Sequence, residues 1–175
     1  QEVYGRYNMG ATAENIAQEL HISRQAQDEF SLTSQRRAVA AIDAGKFKDE
    51  IVPVEVPQGR KKPPIVFDTD EFPRRDTSEE KMAKLKPCFN IRKDEEGRLY
   101  GSAELTGTVT AASSSGRNDG ASAVLLMSEE KARELGMKPL AKIRGMGTAG
   151  CDPRLMGLGP VYAVPKALDN AGLTM

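Results

Sequence analysis

The sequence predicts an α/β protein, and three features predict it. Residues 121–127 form a short, nearly continuous apolar run, as in a strand buried on both faces. Ser128 then stands as a helix cap, opening a helical pattern over 129–135 that Gly136 closes. Leu140 to Met146 reads as another strand, and Pro160 opens a helical stretch through Leu168 with Gly172 beyond it. Strand, helix, strand, helix describes part of a layered framework. An α+β excursion precedes it, and the change of character falls near residues 116–120.

In the excursion, Ala13, Ile16, Ala17 and Leu20 recur at i, i+3, i+4 and i+7, the apolar stripe of a surface helix, with Thr12 as its N-cap. Ser23 caps a second, longer helix carrying Ala26, Phe30, Ala38, Ala41 and Ile42, which stops at Gly45. Residues 51–56 are rich in β-branched side chains, and Pro53 and Pro57 confine them to an edge strand. Residues 65–67 are a second short extended run, joined to the first by the loop QGRKKPP. Residues 68–82 are charged and lack a clear period. Residues 90–107, with Gly97 and Gly101, read as an exposed hairpin or excursion.

Composition narrows the function classes. The chain has 175 residues, enough for one domain or for one and part of another. Its 25 acidic and 25 basic side chains cancel, which argues against a broad electrostatic grip on nucleic acid or on membrane phosphates. No apolar run approaches the roughly 20 residues of a membrane span. Two cysteines make no disulfide framework, and no signal peptide is in view, so a reducing, cytoplasmic setting is expected. The single histidine, His21, excludes a His-rich metal site, and any Ser-His-Asp or Cys-His device would have to use it. It follows Leu20 at a helix end, where a cation complements the dipole. The chain starts at Gln1 and stops just after a helical pattern, and a piece of a larger protein is expected.

The candidate chemistry centres on TVTAASSSGRNDGASAVLLMS, residues 108–128. Side chains without bulk let a narrow ligand arm approach the backbone, and serine hydroxyls donate or accept hydrogen bonds. An ordinary tight loop feeding a strand is the alternative. No phosphate-cradling Gly-x-x-x-x-Gly-Lys-Ser/Thr sequence occurs. Residues 157–160, GLGP, open a helix, so their amides either face an anion or simply serve helix entry. Cys88 has Lys86 near it but no evident helix start, Cys151 sits in a turn with no basic partner adjacent in sequence, and both read as structural thiols.

Seven segments in order resemble the thiolases, the acetyl-CoA acetyltransferase and 3-ketoacyl-CoA thiolase family. They are NMGATAEN (8–15), ISRQAQDEF (22–30), GKFKDEIVP (45–53), MAKLKP (82–87), GTVTA (107–111), SGRNDGA (115–121) and MGLGP (156–160). The resemblance implies a loop domain over residues 1–117 and part of a layered αβαβα core over 118–175. It implies that the small-residue loop lies against the pantetheine arm of coenzyme A, with Ala111, Ser115 and Gly116 lining the arm and the Ser115 hydroxyl bonding to it. Met9 and Met156 then flank the arm, Phe89 forms a wall, and Arg74 meets the adenine or phosphates. Asn8, Lys81, Ser113 and Arg117 depart from the family pattern, and residues 90–107 are longer than usual.

The resemblance also implies the chemistry of the parent enzyme: condensation of two acyl-CoA units, or thiolysis, through an acyl-cysteine. Coenzyme A enters as substrate rather than cofactor, and no metal is called for. The nucleophilic Cys, the activating His and the acid/base Cys have no counterparts here, so no catalytic residue is assigned to this chain. A homo-oligomer working in fatty acid metabolism is expected. The alternative is a stand-alone, non-catalytic coenzyme A-binding or interaction module derived from the loop region.

Overall fold

A computed structural model describes residues 8–89, 91–93, 99–101 and 107–175. Among them are α1 (Met9–Glu19), α2 (Arg24–Asp43), β1 (Val54–Val56), β2 (Ile65–Phe67), α3 (Glu79–Ala83), β3 (Ile91–Lys93), β4 (Leu99–Gly101), α4 (Glu129–Glu134) and α5 (Gly159–Ala171). A 3-10 segment, Pro153–Leu158, leads into α5. Strands β1 and β2 pair antiparallel, Val54 opposite Phe67 and Val56 opposite Ile65. Strands β3 and β4 pair Ile91 with Gly101 and Lys93 with Leu99, inside the stretch read as a hairpin. Asn90, 94–98 and 102–106 of that stretch lie outside the described residues, and with them the exposure expected of it.

Helix α1 differs from expectation at its cap and its face. Asn8, not Thr12, is the N-cap: its Oδ1 accepts the Ala11 N–H at 3.0 Å. Thr12 sits inside the first turn, where its hydroxyl donates to the Met9 carbonyl at 2.6 Å. The buried face is Ala11, Thr12, Glu14, Asn15 and Ala17, while Ala13 and Leu20 point outward. The reason is what α1 packs against. Its buried face meets the backbone of residues 107–109 and of the 3-10 segment, so small residues permit close approach and polar ones answer backbone groups. Glu14 is 0% exposed. Its Oε1 accepts the N–H groups of Thr108 at 2.8 Å and Val109 at 2.7 Å, and its Oε2 accepts the Thr108 hydroxyl at 2.9 Å. A carboxylate is tolerated inside a protein only when its lone pairs are answered in this way.

Helix α2 begins as expected, with the Ser23 hydroxyl accepting the Ala26 N–H at 3.1 Å, and closes at Gly45, whose φ is 67°. Its buried residues are Ser31 and Leu32, whereas Phe30 faces solvent. Charged residues 74–82 are laid along this helix. The Arg74 N–H donates to Gln35 Oε1 at 2.8 Å, Arg75 pairs with Asp43 at 2.8 Å, and the Arg24 guanidinium donates to the Met82 carbonyl at 2.6 Å. Here α3 forms, capped by Ser78 with Glu79 and Glu80 favourably placed in its first turn. Five residues are too few to display a helical period, and for that reason the sequence hides it.

The C-terminal part keeps its helices and lacks its strands. Helix α4 is capped by Ser128, and α5 ends at Gly172, which is left-handed at φ 64°. The run 121–127 has no ladder partner among the described residues, and Val124, Leu125 and Leu126 are 84%, 72% and 70% exposed. The strand expected here to be buried on both faces is therefore absent, because such a strand exists only where neighbours pair with it and cover it. Residues 140–146 likewise form no ladder, and Leu140, Ile143 and Met146 are exposed. This segment is held on one side by α5: Asn170 Nδ2 donates to the Met146 carbonyl at 2.8 Å and Lys166 Nζ to the Thr148 carbonyl at 3.1 Å. Gly147 allows that approach, since a Cβ there would lie 2.3 Å from the Ala163 carbonyl oxygen.

Candidate functional site

The small-residue loop is built on a fixed stem. The Cys88 N–H donates to the Val109 carbonyl at 2.9 Å, and Pro87 bridges Thr110 antiparallel, so residues 87–89 run beside 108–110. Gly107 has no room for a side chain: a Cβ would sit 2.3 Å from the Phe89 carbonyl oxygen and 2.6 Å from Glu14 Oε1. Past the stem, the polar groups of the loop turn inward on Thr110, itself 0% exposed. Its N–H donates to Ser113 Oγ at 2.9 Å, its hydroxyl accepts the Ala112 N–H at 3.2 Å, and its carbonyl accepts Ser114 Oγ at 2.7 Å. Ser113 and Ser114 are thereby used internally. The Ser115 hydroxyl makes no hydrogen bond among the described residues, and Ala111, Ser115 and Gly116 are exposed. The loop presents small side chains and one available hydroxyl, which is what a narrow polar arm requires.

The other residues singled out from sequence surround α1 and α2. Met9 opens α1 and is exposed. The Phe89 ring lies on Gly10, where a Cβ would come within 2.2 Å of the ring. Met156 is exposed on the 3-10 segment, which packs on α1 through Ile16 against Gly157 and through Asn15 Nδ2 donating to the Arg154 carbonyl at 3.1 Å. Met9, Phe89 and Met156 thus belong to elements gathered around one helix. Arg74 stands apart from them along α2, lining a cleft of about 210 Å³ with Leu32, Arg36, Val39 and Arg75. Its guanidinium makes no ion pair among the described residues. Phe72 connects the two regions, since its ring lies on Gly116 at the end of the loop. A second cleft, about 320 Å³, is lined by Glu14, Ala17, His21, Ile22, Ser23 and Thr108.

Local electrostatics qualify two positions. Lys81 is held by Asp76 at 2.7 Å, so its ammonium is already engaged. That hydrogen bond and the Lys81 charge keep the Asp76 carboxyl below the ordinary aspartate value. At the start of the 3-10 segment, hydrogen bonds from the Arg154 side chain and then its backbone N–H lower Asp152 in the same direction. Cys88 is exposed and Cys151 partly so, and neither thiol meets a base among the described residues. No group of three His, Cys, Asp or Glu side chains is gathered among the described residues as a metal would need. None of their helices is long and apolar enough to cross a membrane.

Sequence reasoning missed Glu14, Gln27, Thr108 and Phe72. Nothing in a helical period marks a glutamate as buried. The only signal was its place on the same face as the small residues Ala11 and Ala17. Phe72 lies in a charged stretch with no pattern to lift it out.

The sequence matches the thiolase N-terminal domain over residues 1–130 and the thiolase C-terminal domain over residues 137–175. It is 54% identical over 174 residues to the acetyl-CoA acetyltransferase of Chromobacterium violaceum, spanning 99% of this chain and 41% of that protein. It is 50% identical over 173 residues to the acetyl-CoA acetyltransferase of Cupriavidus necator, spanning 99% of this chain and 40% of that protein. The fold superposes on the Bacillus anthracis acetyl-CoA acetyltransferase with a TM-score of 0.80 at 40% identity, over 100% of this chain and 40% of that one. Human mitochondrial 3-ketoacyl-CoA thiolase gives 0.76 at 41% identity, over 95% of this chain and 38% of that one. The chain spans about two fifths of the length of these relatives, and it belongs to the thiolase family.

Proposed function

We propose that this chain supplies the coenzyme A-binding side of an acetyl-CoA acetyltransferase. The whole enzyme condenses two acyl-CoA units or runs the reverse thiolysis through an acyl-cysteine, the chemistry that the resemblance to thiolases implies. The catalytic groups belong to the rest of that enzyme, and this chain alone turns nothing over. In this reading residues 1–117 are the loop domain and 118–175 the adjoining part of the core. Ala111, Ser115 and Gly116 line the pantetheine arm, Met9, Met156 and Phe89 flank it, and Arg74 takes the nucleotide end. The enzyme is a cytoplasmic homo-oligomer of fatty acid metabolism.

The observation that carries the reading is the hydrogen-bond accounting of the loop. Ser113 and Ser114 are spent on Thr110, while the Ser115 hydroxyl is left on a surface of small side chains. The guanidinium of Arg74 in its own cleft, with Arg36 beside it and Arg75 paired to Asp43, gives a separate place for phosphate oxygens. The apolar surface left open at 121–127 supports a larger parent over the stand-alone module.

Calorimetric titration of coenzyme A into the 175-residue chain, Arg74→Ala and Ser115→Phe tests this. Wild type is expected to bind, and each substitution to weaken binding about tenfold, Arg74→Ala by loss of a charged contact and Ser115→Phe by bulk placed in the path of the arm and loss of a hydroxyl. Equal binding by all three would remove the assignment of the arm and nucleotide ends. A chain shown to be folded that binds no coenzyme A would remove the half-site itself.

A further inference from the structure

We infer that Glu14 is the positioning residue of the ligand loop: buried in α1, it fixes the hinge from which residues 111–116 project as one rigid unit. The inference rests on the reading of that loop as the coenzyme A surface. The internal hydrogen bonds of the loop converge on Thr110, so its shape is set locally. Its placement is a separate matter, decided at the stem, where residues 87–89 run beside 108–110 on one side and Glu14 holds Thr108 and Val109 on the other. Both have their N–H groups on the Glu14 carboxylate, Thr108 at 2.8 Å and Val109 at 2.7 Å. The Thr108 hydroxyl donates to Glu14 Oε2 at 2.9 Å and accepts from Gln27 Nε2 at 2.8 Å, which joins α1, α2 and the stem in one network.

Three features single out Glu14 as the controlling group. Three donors face its two oxygens, and only a carboxylate offers acceptors on both. The position is fully buried, so water does not take over when a donor is released. Gly107 lets the backbone close onto the carboxylate, because any Cβ there would strike Glu14 Oε1 and the Phe89 carbonyl. At the far end of the loop the half-exposed Phe72 ring lies on Gly116, and no hydrogen bond holds Gly116 among the described residues. A loop that is rigid inside and released at its stem moves as a body, and a displaced binding surface loses the benefit of preorganisation.

The test is site-resolved amide hydrogen exchange on the ligand-free chain, Glu14→Gln and Thr108→Val, followed by coenzyme A titration of each below its melting temperature. Glu14→Gln turns an NH2 toward the donors. It is expected to speed exchange at Thr108 and Val109, whose N–H groups rest on Glu14, about tenfold, to leave Ala112 and Ser113, bonded within the loop, and helices α2 and α5 protected, and to weaken coenzyme A binding per folded molecule by a similar factor. Thr108→Val removes one hydroxyl and is expected to give the same pattern more weakly. Unchanged exchange at positions 108 and 109 would overturn the inference, as would equal acceleration throughout α2 and α5, the mark of a merely structural residue. If Glu14→Gln does not fold, Thr108→Val carries the same two outcomes. Local acceleration in a chain whose wild type binds no coenzyme A would keep the positioning role and remove the functional reading beneath it.

Discussion

His21 ends α1 in the left-handed conformation, with φ 54°. The Ile22 N–H returns to the Ala17 carbonyl at 2.7 Å and the His21 N–H to the Gln18 carbonyl at 3.3 Å, a Schellman closure. Helices α2, α4 and α5 close the same way on Gly45, Gly136 and Gly172, with φ between 64° and 67°. A Cβ in this conformation costs roughly 1–2 kcal/mol, part of which glycine returns as extra freedom in the unfolded chain. The imidazole is exposed and makes no hydrogen bond among the described residues, so little is lost with it. His21→Gly is expected to stabilise the chain by about 0.5–1 kcal/mol, measured as a raised thermal midpoint. A lowered midpoint would mean that the histidine side chain contributes more than the strain costs. The three glycine terminators were legible in the sequence because glycine announces the conformation. The histidine was read as a dipole partner because nothing in its chemistry announces a left-handed backbone.

At the scale of elements, the 3-10 segment carries Met156 past α1, and its entry depends on Asp152. The Asp152 carboxylate accepts the Arg154 N–H at 2.9 Å and meets the Arg154 guanidinium at 2.7 Å. These bonds lower its pKa in the folded state, so their contribution is complete above the ordinary aspartate value and lost as pH falls through the folded one. Both side chains are about two fifths exposed, which limits the contribution to below about 1 kcal/mol. Urea unfolding of wild type and Asp152→Asn should show a small gap near neutral pH that closes as acid protonates the folded carboxylate. A gap that widens in acid would contradict the assignment. This segment escaped sequence reading because its Asp-Pro start looks like any turn. Helices α2, α4 and α5 did not escape, since Ser23, Ser128, Gly45, Gly136 and Gly172 are chemically explicit stops and starts. The α1 stripe failed for a further reason: periodicity assumes that the buried face is apolar, and here it meets backbone amides. The small-residue loop was legible as a surface without bulk, but which of its serines remained available depended on where their hydrogen bonds went.

For the whole molecule, apolar side chains that the sequence assigns to an interior lie on the surface. Val124, Leu125 and Leu126 are exposed in a run with no strand beside it, and Leu140, Ile143 and Met146 are exposed in the next. The hairpin β1–β2 exposes Val54, Val56, Ile65, Val66 and Phe67 on both of its faces. Sequence patterning reads what a segment is suited to pair with, whereas burial depends on the partner itself, and the relatives this chain matches are about two and a half times its length. Apolar runs with unpaired backbone groups seek partners, at about 25 cal/mol per Å² of apolar surface removed from water. The 175-residue chain in isolation should therefore self-associate. Light scattering should give a mass above 19.0 kDa that rises with concentration, and the paired change Leu125→Asp with Leu126→Asp should lower it. Those two side chains are about seven tenths exposed and lie outside the helices, so the double variant should keep the helical circular dichroism of wild type while it dissociates. A concentration-independent mass of 19.0 kDa for wild type would show instead that water tolerates these runs, and the argument for a covering partner would fall with it.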